Sequence, residues 1–176
     1  MPDPTSFKGA PRQDLVLRPV APTDEAWLRE LYASTRRTEM ASVPWPQAAK
    51  RSFLEQQYNL QRMHFEQHYS AASFLAILAA ETQAPIGRYY ILEDSAEYLL
   101  VDIALFPDWQ NHGIGSALIK ESQHRAASYG AGMGLHVLKH NLPALRLYQR
   151  LGFEVVGDEG MHWRMRWTPG AATATH

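Results

Sequence analysis

Apolar and polar residues alternate along DLVLRPV (14–20), the period-two pattern of a strand with one buried face. The next stretch, PTDEAWLRELYASTRR, changes to a helical period. Trp27, Leu28, Leu31 and Tyr32 share one side, Thr23 or Asp24 can cap the start, and Asp24 and Glu25 suit the positive end of the helix dipole. After the break SVPWP a longer helix is predicted over 47–68, with Phe53, Leu54, Tyr58, Leu60 and Phe65 as its apolar positions. SFLAILAA (73–80) and PIGRYYILE (85–93) read as a hairpin about 82–84, and the mostly apolar EYLLVDIALF (97–106) reads as a central strand. A helix over 113–129, a strand over 133–139 and a short helix in NLPALRLYQRLGF follow, the last capped by Asn141 and ended by Gly152. EVVGD and MHWRMRW close the chain as strands. The order β-α-α-β-β-β-α-β-α-β-β places a three-strand meander before two crossover helices. It predicts an α/β protein with a mixed sheet and helices on both faces, and argues against a plain doubly wound sheet.

Composition narrows the function classes. The 176 residues suit one domain, placed at 14–168 between a Pro- and Gly-bearing segment (1–13) and a tail (169–176), both expected to be flexible. A net charge of −1 and a pI near 6.7 give no footprint for nucleic acid or an anionic membrane. The longest apolar-rich run, AASFLAILAA, is too short to span a bilayer, and MPDPTSFKGAPRQD lacks the apolar core of a signal peptide. The absence of cysteine rules out disulfides, thiolate metal sites and a thiol nucleophile. A cytoplasmic protein is the expectation.

The chemistry begins at FPDWQNHGIGSALIK, where Gly113 and Gly115 stand at a helix start although Ser, Thr, Asp and Asn cap helices better. Free N–H groups and about half a positive charge gather at such an end. Glycines let a phosphate approach the backbone there, and they equally serve plain turn geometry. A P-loop would need Gly-Lys-Ser/Thr, but Ser116 and Ala117 follow Gly115; a Rossmann loop would need a glycine where Leu118 stands. His64 and His68 have a metal-binding i, i+4 spacing, yet the glutamate falls at Glu66 rather than beside His64, so a solvated helix face is expected and no metal. Asp102 is an acid inside an apolar strand, which requires either an ionic partner or a chemical role.

The stretch DIALFPDWQNHGIGSALI…LHVLKHNLPALRLYQRLGFEVVG resembles the GNAT superfamily of acetyl-CoA-dependent N-acetyltransferases. The likeness rests on Gln110, Gly113, Gly115, Asn141, Tyr148, Gly152 and Phe153 in the family's order and covers roughly residues 97–158. It implies a GNAT-like, mostly antiparallel mixed sheet. The backbone of Gln110, Asn111, His112, Gly113, Ile114, Gly115 and Ser116 would cradle the pyrophosphate of acetyl-CoA. Ile103, Ala104 and Leu105 would pair with the pantetheine arm, and strand 133–139 would splay away to open the slot. Asn141 either bonds the cofactor or caps its helix. Tyr148 either assists the departing thiolate or packs as a core aromatic. Asp102 is either the general base or a structural ion pair, with Glu97 and Glu39 as weaker candidates for the base. Lys139, His140 and Arg146 lie close enough in sequence to meet a phosphate. The acceptor would sit near Tyr32, Glu39, Trp45, Met161, His162 and Trp163. The activity implied is acetyl transfer to a primary amine of a small molecule or peptide by direct attack in a ternary complex. A non-catalytic acyl-CoA-binding sensor is the alternative, and a homodimer is left open.

Overall fold

The computed structural model describes the backbone of residues 5–10 and 13–170 and the side chains of residues 14–170. The first half contains β1 (Thr5–Ala10), β2 (Gln13–Pro19), α1 (Glu25–Thr35), α2 (Arg37–Ala41) and α3 (Gln47–His68). The meander is β3 (Ser73–Ala79), β4 (Pro85–Leu92) and β5 (Glu97–Leu105). Then come α4 (Ile114–Ser128), β6 (Gly132–Leu138), α5 (Leu142–Arg150), β7 (Glu154–Glu159) and β8 (His162–Trp167).

The strands form one eight-stranded sheet in the order β1-β2-β3-β4-β5-β6-β8-β7. Only β5 and β6 pair in parallel, as a crossover through α4 requires; the other neighbours are antiparallel. The mixed sheet expected from the element order is therefore present. Two elements differ from expectation. Residues 5–10, placed in a flexible segment from their Pro- and Gly-bearing surroundings, form β1 against β2. The stretch after α1 carries a further short helix, α2, before the SVPWP break. Residues 1–4, 11–12 and 171–176, the remainder of the two segments expected to be flexible, lie outside the described residues.

The main core fills the α4–α5 side of the sheet, where Ile77, Ile86, Tyr89, Leu118, Ile119 and Phe153 are fully enclosed. A smaller cluster of Leu28, Tyr32 and Tyr58 joins α1 to α3. Of the two residues expected to cap α1, Thr23 and Asp24, it is Asp24 that occupies the cap position, but its carboxylate makes no cap hydrogen bond there. It turns instead toward Arg18, whose guanidinium donates to both oxygens at 2.7 and 2.8 Å. The amide of Ala21 (2.7 Å) and Nε1 of Trp27 (2.8 Å) donate to it as well. With Asp24 buried, this network ties β2 to α1.

The network makes stability depend on acidity. Hydrogen bonding from Arg18 outweighs desolvation and holds the Asp24 carboxyl down from 3.8 to about 2. A group depressed in the folded state stabilises it above its unfolded pKa, and that contribution is lost as pH falls through the folded value. At about 1.4 kcal/mol per pKa unit, Asp24 supplies on the order of 2 kcal/mol, fully present above about pH 4 and disappearing toward pH 2. Urea midpoints at pH 5.5 and pH 2 should show Asp24→Asn losing about 2 kcal/mol less over this interval than the parent; equal losses would contradict the assignment.

Candidate active site

The pairing of β5 with β6 runs from Glu97–Gly132 to Leu100–Leu135 and stops there, although β5 continues to Leu105 and β6 to Leu138. The register between β4 and β5 shifts at the same level. Tyr90 faces Asp102 while its neighbour Ile91 faces Leu100, so Val101 is an extra residue, a β-bulge. Such bulges bend a strand and re-aim its side chains. The two parallel strands thus diverge into a wedge, and a cavity of about 600 Å³ occupies it. One unpaired edge of β5 borders the wedge over 101–105, the arrangement in which an extended ligand can add as a strand.

At the far end of β5, Gln110 donates from Nε2 to the Leu105 carbonyl at 2.9 Å. Its side chain therefore fixes the loop to the strand. Asn111 (φ 61°) and Gly113 (φ 81°) both adopt the left-handed conformation, turning the chain into α4. Gly113 caps α4 without a side-chain hydrogen bond, and the first bond returning to the cap comes from Ala117 to the Gly113 carbonyl (3.0 Å). The amide of Gln110, expected in the cradle, bonds the Pro107 carbonyl at 3.2 Å, whereas those of 111–116 donate to no acceptor among the described residues. A Cβ placed on Gly113 would meet nothing within 4 Å, so that face of the loop opens outward. Gly115 lies over Ile103, whose Cδ1 would be 3.4 Å from an added Cβ. A row of bare N–H groups at a helix start, flanked by left-handed residues, is a concavity suited to an anion.

Tyr148 projects from α5 into the wedge. Its ring packs edge-on to Phe153 at 6.0 Å, which is the core role foreseen for it. Tyr148 also lines the cavity, and its hydroxyl has no hydrogen-bond partner among the described residues. Burial, with a smaller contribution from the charge of Asp102, pushes the phenol well above its ordinary pKa. Asn141 also lines the cavity while its Oδ1 accepts from the Ala144 amide at 3.3 Å, so it caps α5 and faces the wedge together.

Asp102 borders the cavity too, but its Oδ2 is held at 2.7 Å by Nε of Arg88. Arg88 is buried and also donates to Oε1 of Gln61 on α3 at 2.8 Å. The ionic partner that an acid in an apolar strand requires is thus Arg88. The weaker candidates are engaged elsewhere, Glu97 with Arg166 (3.3 Å) and Glu39 with Arg36 (2.6 Å). Lys139 is taken up by Asp158 at 2.6 Å and lies 4.2 Å over the Trp163 ring.

Of the residues expected about the acceptor, His162 lines the cavity; Trp45 packs on Phe53 and Tyr32 on Tyr58. Sequence reasoning passed over Gln61, His136 and Glu159, which line it as well, and His64, expected on a solvated helix face, stands on its wall too. The spacing of His64 was legible, but which side of α3 meets the wedge was not. His136 and Glu159 sit on different strands and meet only through the β6–β8–β7 register. No group of three or more His, Asp or Glu among the described residues is arranged to hold a metal ion, and none of the described helices is long and apolar enough to cross a membrane.

Comparison with known proteins agrees with this geometry. The mycothiol acetyltransferase of Thermobifida fusca (strain YX) is 30% identical over 82 residues, which cover 46% of this chain and only 22% of that protein. The chain therefore spans about a fifth of that relative's length. Among solved structures, the PaiA N-acetyltransferase from Thermoplasma acidophilum in complex with coenzyme A superposes with a TM-score of 0.65 at 19% identity, over 88% of this chain and 98% of that one. The spermidine N-acetyltransferase from Vibrio cholerae in complex with CoA and spermine gives 0.56 at 21% identity, over 88% and 95%. These likenesses show a shared fold. The model of the acetyltransferase (GNAT) family matches residues 27–153, a span that contains the wedge, the bare amides before α4 and Tyr148, and the chain belongs to that family.

Proposed function

We propose that the protein transfers an acetyl group from acetyl-CoA to a primary amine of a small molecule or peptide. The observation that carries this reading is the wedge between β5 and β6, with unpaired amides at one end and the Tyr148 hydroxyl within it. Acetyl-CoA supplies an activated thioester and a diphosphate. The chain's own residues fit both: the 111–116 amides offer donors to the diphosphate, and the free edge of β5 offers backbone partners to an extended arm. Tyr148, kept protonated by burial, donates a hydrogen bond to charge developing on the leaving sulfur. Without cysteine, no thiol acyl-enzyme can form, and the amine attacks the thioester directly. The cation–carboxylate pair of Arg88 and Asp102 holds β4, β5 and, through Gln61, α3 in place around the reacting groups.

The test pairs binding with turnover. Calorimetry should show CoA binding, and thiol release from acetyl-CoA should appear with at least one amine among spermidine, tyramine, glucosamine and a lysine-bearing peptide. Gly113→Ala puts a methyl group on the open face of the loop and forces a side-chain-bearing residue to adopt φ 81°, at about 1–2 kcal/mol. CoA affinity should fall at least about tenfold, with the fold retained. Unchanged affinity would refute the phosphate cradle. Tight CoA binding without thiol release from any of the four amines would identify an acyl-CoA sensor instead.

A further inference from the structure

The reaction needs a proton acceptor for the incoming amine, and the residue foreseen for it, Asp102, is held by Arg88. Strand register shows what else faces the acceptor. Leu92 pairs with Leu99, and Leu99 with Gly134, so Gly134 and His136 stand on the same face of the sheet as Leu92, Tyr90 and Arg88. That is the α3 face, since Arg88 bonds Gln61 and Tyr90 packs edge-on to Phe65. The Val101 bulge brings Asp102 to this face as well. Tyr148, on α5, enters the wedge from the opposite side. The proton donor and the acceptor side thus lie on opposite faces of the sheet and meet where the strands part.

On the α3 face, Nε2 of His136 lies 3.0 Å from Oε2 of Glu159, and both line the cavity. Glu159 reaches this position because it pairs with His162 across the β7–β8 hairpin, and His162 pairs in turn next to His136 on β6. Nε2 and the carboxylate oxygen lie within reach of a shared proton, and a proton carried at Nε2 leaves the Nδ1 lone pair free to accept one. The charged and titratable neighbours of His136 are Glu159 on β7, Arg164 directly across on β8, His162 beside it, and His64 and Asp102 on the cavity wall.

We propose that His136, oriented by Glu159, is the general base. The inference rests on the acetyl-transfer reading above. The acceptor's ammonium N–H bond breaks and its proton passes to Nδ1 of His136, directly or through one water. The freed nitrogen pair forms the C–N bond to the thioester carbonyl carbon, the nitrogen, now cationic, gives its second proton to water, and the C–S bond breaks with its electrons leaving on sulfur, so that a neutral amide results. That sulfur accepts the Tyr148 hydrogen bond and takes up its proton from solvent. His136 is the catalytic residue in this step and Glu159 a positioning residue.

The test is His136→Gln, which keeps a polar side chain of similar size at a part-exposed position, assayed with acetyl-CoA and the most reactive of the four amines. kcat/KM for the amine should drop about 10²–10³-fold near neutral pH. The variant's rate should then climb about tenfold per pH unit toward the pKa of the amine, as solvent rather than imidazole removes the proton. The affinity for CoA should stay the same. Glu159→Gln should lose about tenfold in kcat with little change in KM for the amine, and its ¹⁵N spectrum should no longer show His136 held in a single tautomer. Independently of turnover, the ¹⁵N spectrum of the unliganded protein should show His136 protonated at Nε2 and bare at Nδ1. A His136→Gln variant with the parent rate and pH profile, or the opposite tautomer in the spectrum, would overturn the dyad and leave acetyl transfer standing. No thiol release by the parent with any of the four amines would overturn both.

Discussion

Replacing Tyr148 by Phe should lower kcat about 10²–10³-fold while changing KM for acetyl-CoA less than about threefold, the range found when a single preorganised donor is removed from a developing negative charge. The substitution deletes only the hydroxyl. The ring keeps its edge-on contact with Phe153 at 6.0 Å, so thermal stability should change by less than about 1 kcal/mol. The direction of the phenol's pKa bears on mechanism. Burial first, and then the charge on Asp102, disfavour the phenolate. A phenol starts near 10 and a thiol near 8.5, so full proton transfer from Tyr148 to sulfur is uphill even before that shift. On the proposed mechanism Tyr148 therefore serves as a fixed hydrogen-bond donor rather than a proton donor. Accordingly, the parent kcat should show no alkaline limb from this residue below about pH 10. Steady-state kinetics on both proteins across pH 6–10 check both statements. A Phe variant with the parent kcat would reduce Tyr148 to its packing role.

The sequence made some of this site legible and left the rest to register. Elements with strong periodicity were placed to within a residue or two: α3 over 47–68, β5 as the central strand, α5 between Asn141 and Gly152. The Gly113–Gly115 pair and Tyr148 were visible because their chemistry is local, in a loop that needs a left-handed residue and a helix that carries an aromatic. β1 was missed because its residues have neither alternation nor an apolar run; pairing with β2 defines it. Asp102 announced itself as an acid in an apolar strand, but its partner Arg88 is on the adjacent strand, and only the register decides that they meet. The Val101 bulge has no sequence signature here, yet it decides which face Asp102 shares. His136 and Glu159 were hidden for the same reason: 23 residues of chain separate them, and a hairpin brings them to 3.0 Å. Gln110 was read as part of a ligand-binding motif, and its side chain is committed to the Leu105 carbonyl.

Arg88→Met should destabilise the protein by about 3 kcal/mol, the low end of the cost of removing one partner from a buried ion pair. Arg88 is 5% exposed and satisfies two elements at once, Asp102 on β5 and Gln61 on α3. Its guanidinium also lies 5.1 Å over the Tyr90 ring and 5.8 Å from that of Phe65. Methionine keeps an unbranched stem against those rings and removes the charge, so the loss measures the polar network rather than a cavity. The Asp102 side chain is 23% exposed, which lets water replace part of what Arg88 supplied and keeps the expected cost from rising further. At about 2–4 °C per kcal/mol for a chain of this size, Tm should fall by about 6–12 °C. A second variant separates the pair from its surroundings. In Arg88→Met with Asp102→Leu no charge remains to be stranded, and at least half of the lost stability should return. If the single variant melts within about 1 °C of the parent, the pair contributes little. If the double variant is no better than the single one, the cost lies in the contact with Gln61 and the aromatic rings. The two outcomes assign the strength of this side of the wedge to different interactions. Recovery in the double variant would mean that the fold tolerates an apolar floor at this point, and that the charged pair matters for how it shapes and polarises the cavity rather than for stability.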